Sequence, residues 1–364
     1  MTAVGDILEL SYGKALKASD RDGGDVPVVG SGGIVGRHSA GITDSPTIVV
    51  GRKGSIGSVT WIDGPAWPID TAYFVKPKRD DLDRRWAYWM LKSLGMETMN
   101  KSAAVPGLNR DDVYRLNVRL PSLPEQRRIA AILDHADALR AKRGQVLTHL
   151  DALTRAFFVQ QFGAPQDWPQ RWPMGTIGDL TEDVSYGTSG KASTSGAWPI
   201  LRMGNVTDDG RLDLADLKYI DLSPADVPKY TVRPGDMLFN RTNSKEKVGK
   251  AAVVRTDQPL ALAGYLVRVR FADAATAEFV SGYLASAHGV AVRQKLAKAA
   301  VNQANINASE MRRIEIAHPP SAVKQSYEAS LKAIEAQRNV VQRALATDNA
   351  LFGSLQSRAF RGEL

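Results

Sequence analysis

The sequence predicts an α+β protein, in which two globular mixed α/β domains in tandem are separated by two long helices. Two observations predict this architecture. The chain repeats itself, because residues 108–121 align without a gap with residues 306–319, at an offset of 198. Each repeat is followed by a long stretch that has few Gly or Pro residues and carries apolar residues at coiled-coil spacing. We therefore expect the two helices to form an antiparallel coiled coil with pseudo-two-fold symmetry.

The first globular domain is predicted to span residues 1–121 and to be rich in strands and loops. Its short apolar runs are separated by Gly, Pro and Asp, which is typical of strands joined by turns. These runs are residues 26–29, 47–50, 59–62 and 73–75. A helix is expected at residues 81–99, where Trp86, Tyr88, Trp89 and Leu91 contribute to one apolar surface.

The central long helix is predicted at residues 122–163. Between Glu125 and Phe158 it contains no Pro and a single Gly, Gly144. Its apolar residues alternate steps of three and four, which predicts a coiled-coil seam. The predicted seam contains Ile129, Ile132, Ala136, Leu139, Val146, Leu150, Leu153 and Phe157, with Arg143 as a polar interruption. Such a helix would be roughly 55–60 Å long, so we expect it to hold two parts of the molecule apart.

The second half repeats the first, with a globular domain at residues 164–319 and a long helix at residues 320–364. The Ser-Tyr-Gly that ends at Gly13 recurs ending at Gly187, and Arg155-Ala-Phe recurs at Arg358-Ala-Phe. The seam predicted for the C-terminal helix contains Tyr327, Leu331, Ile334, Val341, Leu345, Phe352 and Leu355. A tandem duplication explains this pattern better than a solenoid, because the period is too long for a solenoid repeat.

Three charged residues lie on the predicted seams, namely Arg143 in the central helix and Arg338 and Asp348 in the C-terminal helix. A dry helix pair would disfavour charges at these positions. Our hypothesis is that they set the register of the helices or face a partner protein. The seams allow the helices to pair within one chain or between two chains.

Composition narrows the function classes. The chain of 364 residues has a formal net charge of +8 and no cysteine, which excludes disulfides and thiolate sites. Each of the four segments holds two more basic than acidic side chains, so no basic tail carries the excess charge. The sequence has no run of 18 apolar residues, and its first residues do not resemble a signal peptide. We expect a cytoplasmic protein with no membrane partner.

No catalytic or metal-binding motif emerges from the sequence. The glycine-rich residues 30–36 resemble a dinucleotide fingerprint, but the residues that follow are not helical, so a surface turn is the better interpretation. The five histidines lack metal-ligand spacing, and the chain contains no phosphate-binding loop and no nucleophile elbow. We expect no metal site and no catalytic residues.

Two polar loops, at residues 50–57 and 239–250, are the best candidates for binding. Each follows a strand-like run, starts with Arg and ends with Gly, and Arg, Lys, Asn and Ser are side chains that read base edges and hold phosphates. A solvated hairpin is the alternative for either loop alone. The predicted DNA contacts here are Arg52, Lys53, Ser55, Arg241, Thr242, Asn243, Ser244, Lys245, Lys247 and Lys250.

A second group of DNA-contact candidates is His38, Arg202, Asn205, Gln303 and Asn305. A structural role is the favoured alternative for His38, which stands alone. Arg202 and Asn205 either enter a groove or cap a turn. The amide-rich residues 300–307, which include Gln303 and Asn305, either contact DNA or form a turn held by amide hydrogen bonds.

Taken in order, these motifs resemble the specificity subunit of type I restriction–modification systems. The resemblance rests on VPVVGSGGIVGRHSAGITDSPTIVVGRKGSIGSV and AWPIDTAYFV in the first half, and on WPILRMGNVTDDGRLDLADLKYI and GDMLFNRTNSKEKVGKAAVV in the second. The connector LNRDDVYRLNVRLPSLPEQRRIAAILDHADAL and the C-terminal AFRGEL complete it. One departure is at the N-terminus, where the first half lacks the Trp172-Pro lead-in of the second.

The resemblance implies two target-recognition domains, each reading one half of a bipartite site in double-stranded DNA. The long helices would set the spacer between the halves and dock two methyltransferase subunits, and restriction subunits would join this core. S-adenosylmethionine, ATP and Mg²⁺ would belong to those partners, so the chain would have no cofactor of its own and no catalytic activity. The alternatives are a coiled-coil scaffold and a DNA-modifying or DNA-cleaving enzyme with an unrecognised site.

The residues predicted to bind protein partners lie on the two helices. They are Ile129, Ile132, Leu139, Arg143, Val146, Leu331, Ile334, Arg338 and Val341.

Overall fold

A computed structural model describes residues 1–44, 46–99, 107–300 and 303–364. Within these ranges the chain forms mixed α/β globular regions and two long helices, as the sequence predicts. No helix of the described residues is long and apolar enough to cross a membrane.

The first globular region forms three small sheets. Its strands are β1 (Thr2–Ala3), β2 (Leu8–Tyr12), β3 (Val26–Gly30), β4 (Gly33–His38), β5 (Thr47–Gly51), β6 (Val59–Ile62), β7 (Trp67–Pro68), β8 (Ala72–Pro77) and β9 (Asn117–Val118). Its helices are α1 (Val4–Ile7), α2 (Arg84–Ser93) and α3 (Arg110–Tyr114), with 3₁₀ turns at Ala18–Asp20 and Met96–Thr98. The predicted helix at 81–99 is shorter than expected, because Asp83 caps its start and Gly95 adopts a positive φ of 63° after its end.

The main sheet of this region has the order β2-β8-β5-β6, and all its neighbours are antiparallel. A second sheet has the order β4-β3-β7, in which β3 and β7 are parallel. The glycine-rich residues 30–36 form the β3–β4 hairpin, with Gly30 opposite Gly33. This confirms a turn in place of a dinucleotide site, because no helix follows to hold a pyrophosphate.

The first long helix is α4 (Leu123–Phe162), and it leads into the second globular region. The strands of that region are β10 (Met174–Thr176), β11 (Thr181–Tyr186), β12 (Trp198–Leu201), β13 (Lys218–Ile220), β14 (Thr231–Val232), β15 (Met237–Asn240), β16 (Thr242–Asn243), β17 (Ala251–Val253), β18 (Leu260–Leu262), β19 (Leu266–Phe271), β20 (Lys298–Ala300), β21 (Gln303–Asn305) and β22 (Glu315–Ala317). The helices are α5 (Trp168–Arg171), α6 (Ile177–Leu180), α7 (Val227–Tyr230), α8 (Ala274–Ala285), α9 (Ala287–Leu296) and α10 (Ala308–Arg312), with 3₁₀ turns at Pro165–Asp167 and Met203–Asn205.

The second region repeats the topology of the first. Its main sheet has the order β11-β19-β15-β17, matching β2-β8-β5-β6, and β12 runs parallel to β18 as β3 does to β7. In the second region the β12 sheet has a fourth described strand, β14, and there is a further sheet of order β16-β21-β20. The sequence counterpart of β20 and β21 in the first half lies almost wholly outside the described residues. The duplication predicted from sequence is therefore present in the main sheets and in the parallel strand pairs.

The second long helix is α11 (Ser321–Arg361). The chain divides into two compact units, residues 1–144 with 343–364 and residues 145–342, so each unit contains one globular region and half of each long helix. In the first unit Arg140 Nε donates to Asn349 Oδ1 at 2.7 Å and Arg143 pairs with Asp348. In the second unit Arg338 pairs with Asp151. The helices therefore pair antiparallel within the chain.

The buried faces of the helices match the predicted seams in part. Ile129, Ala136, Tyr327, Leu331, Ile334 and Phe352 are buried as predicted. In the first unit Ile129, Leu133 and Ala136 are buried, whereas Leu139 is 39% exposed. In the second unit Phe158 and Phe162 join the core, whereas Val146 and Leu153 are 42% and 41% exposed. The reason is that each half-helix packs on its own globular core as well as on the other helix. Its buried side therefore follows contacts with that core, which a coiled-coil pattern does not represent.

Candidate nucleic-acid interface

In the first unit the Arg52 loop begins where β5 ends. The backbone N–H groups of Arg52 and Lys53 both donate to the Thr71 carbonyl, at 2.9 and 3.0 Å, and the Arg52 carbonyl accepts from the Leu108 N–H at 2.8 Å. Gly57 closes the loop by donating to the Gly51 carbonyl at 2.8 Å, with a positive φ of 72°. The main chain at Arg52 is thus fixed on both sides, so the loop is a defined turn rather than a free hairpin.

The Arg52 side chain lies against aromatic rings. Its guanidinium carbon is 5.0 Å from the centroid of the Tyr12 ring, and Nη1 donates to the Asp70 carbonyl at 3.1 Å. A second cation, Arg110, lies 4.9 Å from the same ring. The Tyr73 ring is 5.1 Å from that of Tyr12. Burial, and after it the neighbouring Tyr12, raise the pKa of Tyr73 to about 12.

In the second unit the Arg241 loop begins where β15 ends. The Arg241 N–H donates to the Tyr265 carbonyl at 3.1 Å, and the Arg241 carbonyl accepts from the Ile306 N–H at 2.9 Å. Gly249 closes this loop by donating to the Asn240 carbonyl at 2.7 Å, with a φ of 77°. The two arginines are therefore held by equivalent hydrogen bonds in equivalent places of the two units.

The Arg241 guanidinium also lies over a tyrosine, with its carbon 5.1 Å from the centroid of the Tyr186 ring. Tyr186 Oη accepts from the Ala308 N–H at 3.3 Å. Ala308 occupies the position that Arg110 has in the first unit, at the start of α10 rather than α3. Among the described side chains, the second unit therefore has one cation on its tyrosine where the first has two.

Two polar stretches of the second half, residues 239–250 and residues 300–307, contact each other in the structure. Thr242 pairs with Asn305 in the β16–β21 ladder, and Asn305 Nδ2 donates to Thr242 Oγ1 at 2.9 Å. Thr242 is buried and Asn305 is half-buried, so their hydrogen bond supports the loop from its inner side. The side chain of Gln303 and residues 301 and 302 lie outside the described part of the structure.

The exposed side chains of the two loops carry most of their charge. Lys53 and Ser55 are exposed in the first loop, as are Ser244, Lys245 and Lys247 in the second. Asn243 is half-buried, and its Oδ1 accepts from the Ser244 N–H at 2.9 Å. In the second loop the pKa of Glu246 is lowered by its own backbone N–H, by Ser244 and by the two flanking lysines.

Contrary to the prediction of a DNA contact, Lys250 is buried and paired with a carboxylate. It is 8% exposed, and its Nζ lies 2.6 Å from Asp208 Oδ1. The hydrogen bond from Lys250 lowers the pKa of Asp208, which favours the Asp208 carboxylate at neutral pH. Lys250 therefore holds two loops together.

Arg202 and Asn205 form hydrogen bonds within the fold, which favours the capping of a turn over entry into a DNA groove. The Arg202 Nη2 donates to both the carbonyl and a carboxylate oxygen of Asp216, at 3.0 and 3.1 Å. Asn205 is 5% exposed, and its Nδ2 donates to the carbonyls of Asp213 and Asp216. Together they cap the turn that follows β12, the alternative that the sequence left open.

His38 is largely buried and belongs to the fold. Its Nδ1 is 3.1 Å from Asp22 Oδ1, and its ring packs edge-on against Trp67. This is the structural role that the sequence favoured over DNA contact.

Sequence reasoning assigned no role to Tyr12, Tyr186 or Arg110. A signal was present, because Ser-Tyr-Gly recurs in the two halves. The glycine is required because a Cβ at Gly13 would collide with the Ile69 carbonyl, and a Cβ at Gly187 with that of Ala263. Each strand therefore passes close to another segment just after its tyrosine.

The described residues contain no group of His, Asp or Glu side chains that could hold a metal ion. The polar clusters described above are ion pairs and turns. The site can bind an anion and present hydrogen-bond donors.

The predicted protein-binding residues fall into three groups. Ile129, Leu331 and Ile334 are buried inside their own units and are not available to a partner. Arg143 and Arg338 are engaged with carboxylates of the opposite helix, which favours the register hypothesis for these charges. Ile132, Leu139, Val146 and Val341 are exposed or half-buried.

An apolar groove runs between the two helices of the first unit. It is lined mainly by Ala131, Ile132, Leu139, Leu351 and Leu355. Leu351 is 52% exposed and Leu139 is 39% exposed. Large apolar side chains that are exposed side by side are typical of a surface that a protein partner covers.

The fold and the duplicated loops agree with the comparison to known families. Residues 1–149 match the family model described as the type I restriction modification DNA specificity domain. The resemblance seen in the sequence is confirmed, since the chain is similar to the specificity subunits of type I restriction–modification systems.

Two curated relatives are specificity subunits from Escherichia coli. The EcoKI specificity subunit of strain K12 is 24% identical over 269 residues, which are 68% of this chain and 58% of the relative. The EcoprrI specificity subunit is 27% identical over 142 residues, which are 37% of this chain and 35% of the relative. The chain thus aligns with just over half of the first relative and about a third of the second.

Two solved structures share the fold. The S subunit of the type I restriction–modification system from M. genitalium has a TM-score of 0.65 at 15% identity, covering 98% of this chain and 95% of that one. A chain from a structural study of complex assembly and conformational transition of the type I R-M system has a TM-score of 0.55 at 15% identity, covering 100% and 97%. Both likenesses concern the fold alone.

Proposed function

We propose that this chain is the sequence-specific DNA-binding subunit of a type I restriction–modification complex, and that each unit reads one half of a bipartite site. The observation that carries the proposal is the pair of equivalent arginine loops. Arg52 and Arg241 follow equivalent strands, have equivalent backbone hydrogen bonds and lie on equivalent tyrosines. The relatedness to specificity subunits supports it.

Within each loop the arginine is the best candidate for base reading. A guanidinium presents five donors in a planar fork, which suits the two acceptors on the major-groove edge of guanine. Lys53, Lys245 and Lys247 are exposed at the same loops and would contact phosphates, which fix position but carry no sequence information. Ser55, Asn243 and Ser244 would add hydrogen bonds.

The long helices are proposed to hold the spacer between the two half-sites and to dock two methyltransferase subunits. The apolar groove that contains Leu139 and Leu351 is the surface we assign to such a partner. Restriction subunits would join that assembly. The chain itself would be non-catalytic, with S-adenosylmethionine, ATP and Mg²⁺ bound by the partner subunits.

A selection experiment tests the DNA-reading role. The full chain is incubated with a randomised DNA duplex library, and the bound fraction is sequenced for the wild type and for Arg241→Ala. We expect a bipartite motif for the wild type, and a relaxed preference in one half for the variant. A bidentate base contact is worth about 1–3 kcal/mol of discrimination.

Arg233→Ala is the matched control, because Arg233 precedes the other end of the same strand and its side chain is 69% exposed. It should leave the motif unchanged. Equal loss on cognate and random DNA would make Arg241 a phosphate contact. Binding that ignores salt concentration would favour a scaffold without a nucleic-acid role.

A further inference from the structure

Each unit carries an exposed tyrosine directly beneath its loop arginine. Tyr12 is 52% exposed and Tyr186 is 42% exposed, although both end strands of the main sheets. An exposed tyrosine ring normally needs no explanation. Here the same ring recurs in two sequence-divergent copies, and in both a guanidinium lies about 5 Å from its centroid.

We propose that Tyr12 and Tyr186 are positioning residues, which hold Arg52 and Arg241 in the conformation that reads DNA before DNA binds. This inference rests on the proposed function and names residues that determine specificity through the arginines. An arginine side chain is among the costliest to order, so a surface that restricts its rotamers in the free protein strengthens binding.

The backbone geometry supports a positioning role over simple contact. The main chain of each arginine is held by one donated and one accepted hydrogen bond, so the only freedom left is in the side chain. The tyrosine restricts that freedom from one side. In the first unit Arg52 Nη1 also donates to the Asp70 carbonyl, which leaves the other guanidinium N–H groups for a ligand.

The second unit also shows how the ring itself is held. Tyr186 Oη accepts from the Ala308 N–H at 3.3 Å, at the start of α10. Arg241 Nε is buried, and among the described residues it has no hydrogen-bond partner. The inner part of this guanidinium is therefore covered and its outer nitrogens are the part that can reach a ligand.

The two units differ in one way that makes the second the cleaner test. Arg110 lies on the Tyr12 ring at 4.9 Å in the first unit, so removing Tyr12 affects two cations. In the second unit Ala308 stands at the corresponding place, and Arg241 is the cation on Tyr186 among the described residues.

The experiment is a double-mutant cycle on the full chain. Binding is measured to the DNA duplex that the wild type selects from the random library, for Arg241→Ala, Tyr186→Leu and the double variant. We expect Tyr186→Leu to weaken cognate binding by about two- to fivefold, the range typical of an exposed cation–π contact. In the Arg241→Ala background it should have no further effect, because the arginine that it positions is gone.

Two controls separate positioning from folding. Tyr186→Phe keeps the ring face and should retain cognate binding. Tyr230→Leu replaces another tyrosine of the same unit that has a cation on its ring, since Lys229 Nζ lies 4.9 Å from the centroid. It should leave binding unchanged, because Tyr230 is partly exposed and lies outside the Arg241 loop. Thermal unfolding of every variant is measured alongside.

The outcomes distinguish this inference from the proposed function. If Arg241→Ala weakens cognate binding and Tyr186→Leu does not, the positioning role is wrong and the function stands. If the losses from Tyr186→Leu and Arg241→Ala add, the tyrosine acts independently of the arginine and the inference is wrong. If Arg241→Ala has no effect on binding or specificity, the proposed reading residue itself fails.

Discussion

At the scale of single residues, the two arginine loops are distinguished by how their arginines are held. Arg52 and Arg241 have the two hydrogen-bonding groups of their main chain fixed, and a tyrosine under their side chains. Lys250 belongs to the same stretch of sequence as Arg241 but is buried against Asp208. Position in a polar loop therefore does not by itself identify a ligand contact.

Tyr73 gives a residue-scale prediction about pH. Its pKa is raised to about 12, chiefly by burial, whereas the pKa of a tyrosine in an unfolded chain is about 10. Between these values the unfolded chain releases a proton that the folded chain keeps. The free energy of unfolding should therefore fall as pH rises, by up to about 1.4 kcal/mol per pH unit for this residue.

Urea unfolding of the wild type and Tyr73→Phe at pH 9 and pH 11 checks this prediction. The variant should lose less stability between the two values than the wild type does. Tyr283→Phe is a parallel case in the second unit, because burial raises the pKa of Tyr283 to about 12 as well. Identical losses in the variants and the wild type would contradict the assignment.

Some residue roles could not be predicted from the sequence, because they depend on contacts that form only in the folded chain. Arg52 and Arg241 could be predicted because an Arg at the start and a Gly at the end of a loop recur in both halves. The burial of Lys250 could not, because its partner Asp208 lies about 40 residues away and comes close only in the fold. The roles of Tyr12 and Tyr186 depend on stacking across strands, which no local pattern contains.

At the scale of elements, the long helices are held by charges as well as by apolar packing. Asp151 accepts from Arg338 of the other helix and, at 2.9 Å, from Arg211 of the globular region. The two arginine side chains are 12% and 15% exposed. The Arg143–Asp348 pair of the first unit is more open, because the Arg143 side chain is 39% exposed.

This difference predicts unequal costs of removing the two carboxylates. Asp151→Ala removes the carboxylate that pairs with the largely buried Arg338, while Arg211 beside it keeps its pair with Asp209, and we expect a loss of about 2–4 kcal/mol. Asp348→Ala breaks a partly exposed pair and should cost about 1 kcal/mol or less. Urea unfolding of both variants measures the comparison, and an equal or reversed order would count against the account of these contacts.

The two long helices also show what an apolar sequence pattern can and cannot predict about an element. Their existence and bounds follow from the lack of Pro and the apolar periodicity over about 40 residues. The buried face follows only in part, because each half-helix packs on a globular core as well as on its helical neighbour. Leu139, Val146 and Leu153 therefore remain exposed although they fit the seam.

That exposure leads to a prediction about assembly. Leu139→Glu or Leu351→Glu places a charge in the apolar groove of the first unit, which disfavours burial under a partner. We expect either variant to keep its fold and to lose co-purification with the methyltransferase subunits. Ala141→Glu is the control, because Ala141 is exposed two residues further along the same helix, on a different side from Leu139.

Co-purification from cells that co-express the subunits, with circular dichroism of each variant, decides the matter. Retained assembly in Leu139→Glu and Leu351→Glu would exclude this groove as the docking surface. Loss of assembly in Ala141→Glu as well would show that the helix as a whole, rather than the groove, is sensitive to charge.

At the scale of the whole molecule, the duplication is the central feature. The two units have the same strand order in their main sheets, and each presents one arginine loop at the end of an equivalent strand. In the described residues they differ in the length of that loop and in the strand β14 of the second unit, and Arg110 of the first unit corresponds to Ala308 of the second. A common scaffold with different loops is what two different half-sites require.

The most direct test of this account is to sequence the methylated bases in host cells that carry the wild type, Arg52→Ala, Arg241→Ala or a deletion. The account predicts a bipartite methylated motif that disappears on deletion. Arg52→Ala should relax one half of that motif, and Arg241→Ala the other half. A motif that survives deletion, or two variants that alter the same half, would contradict the claim that each unit reads its own half-site.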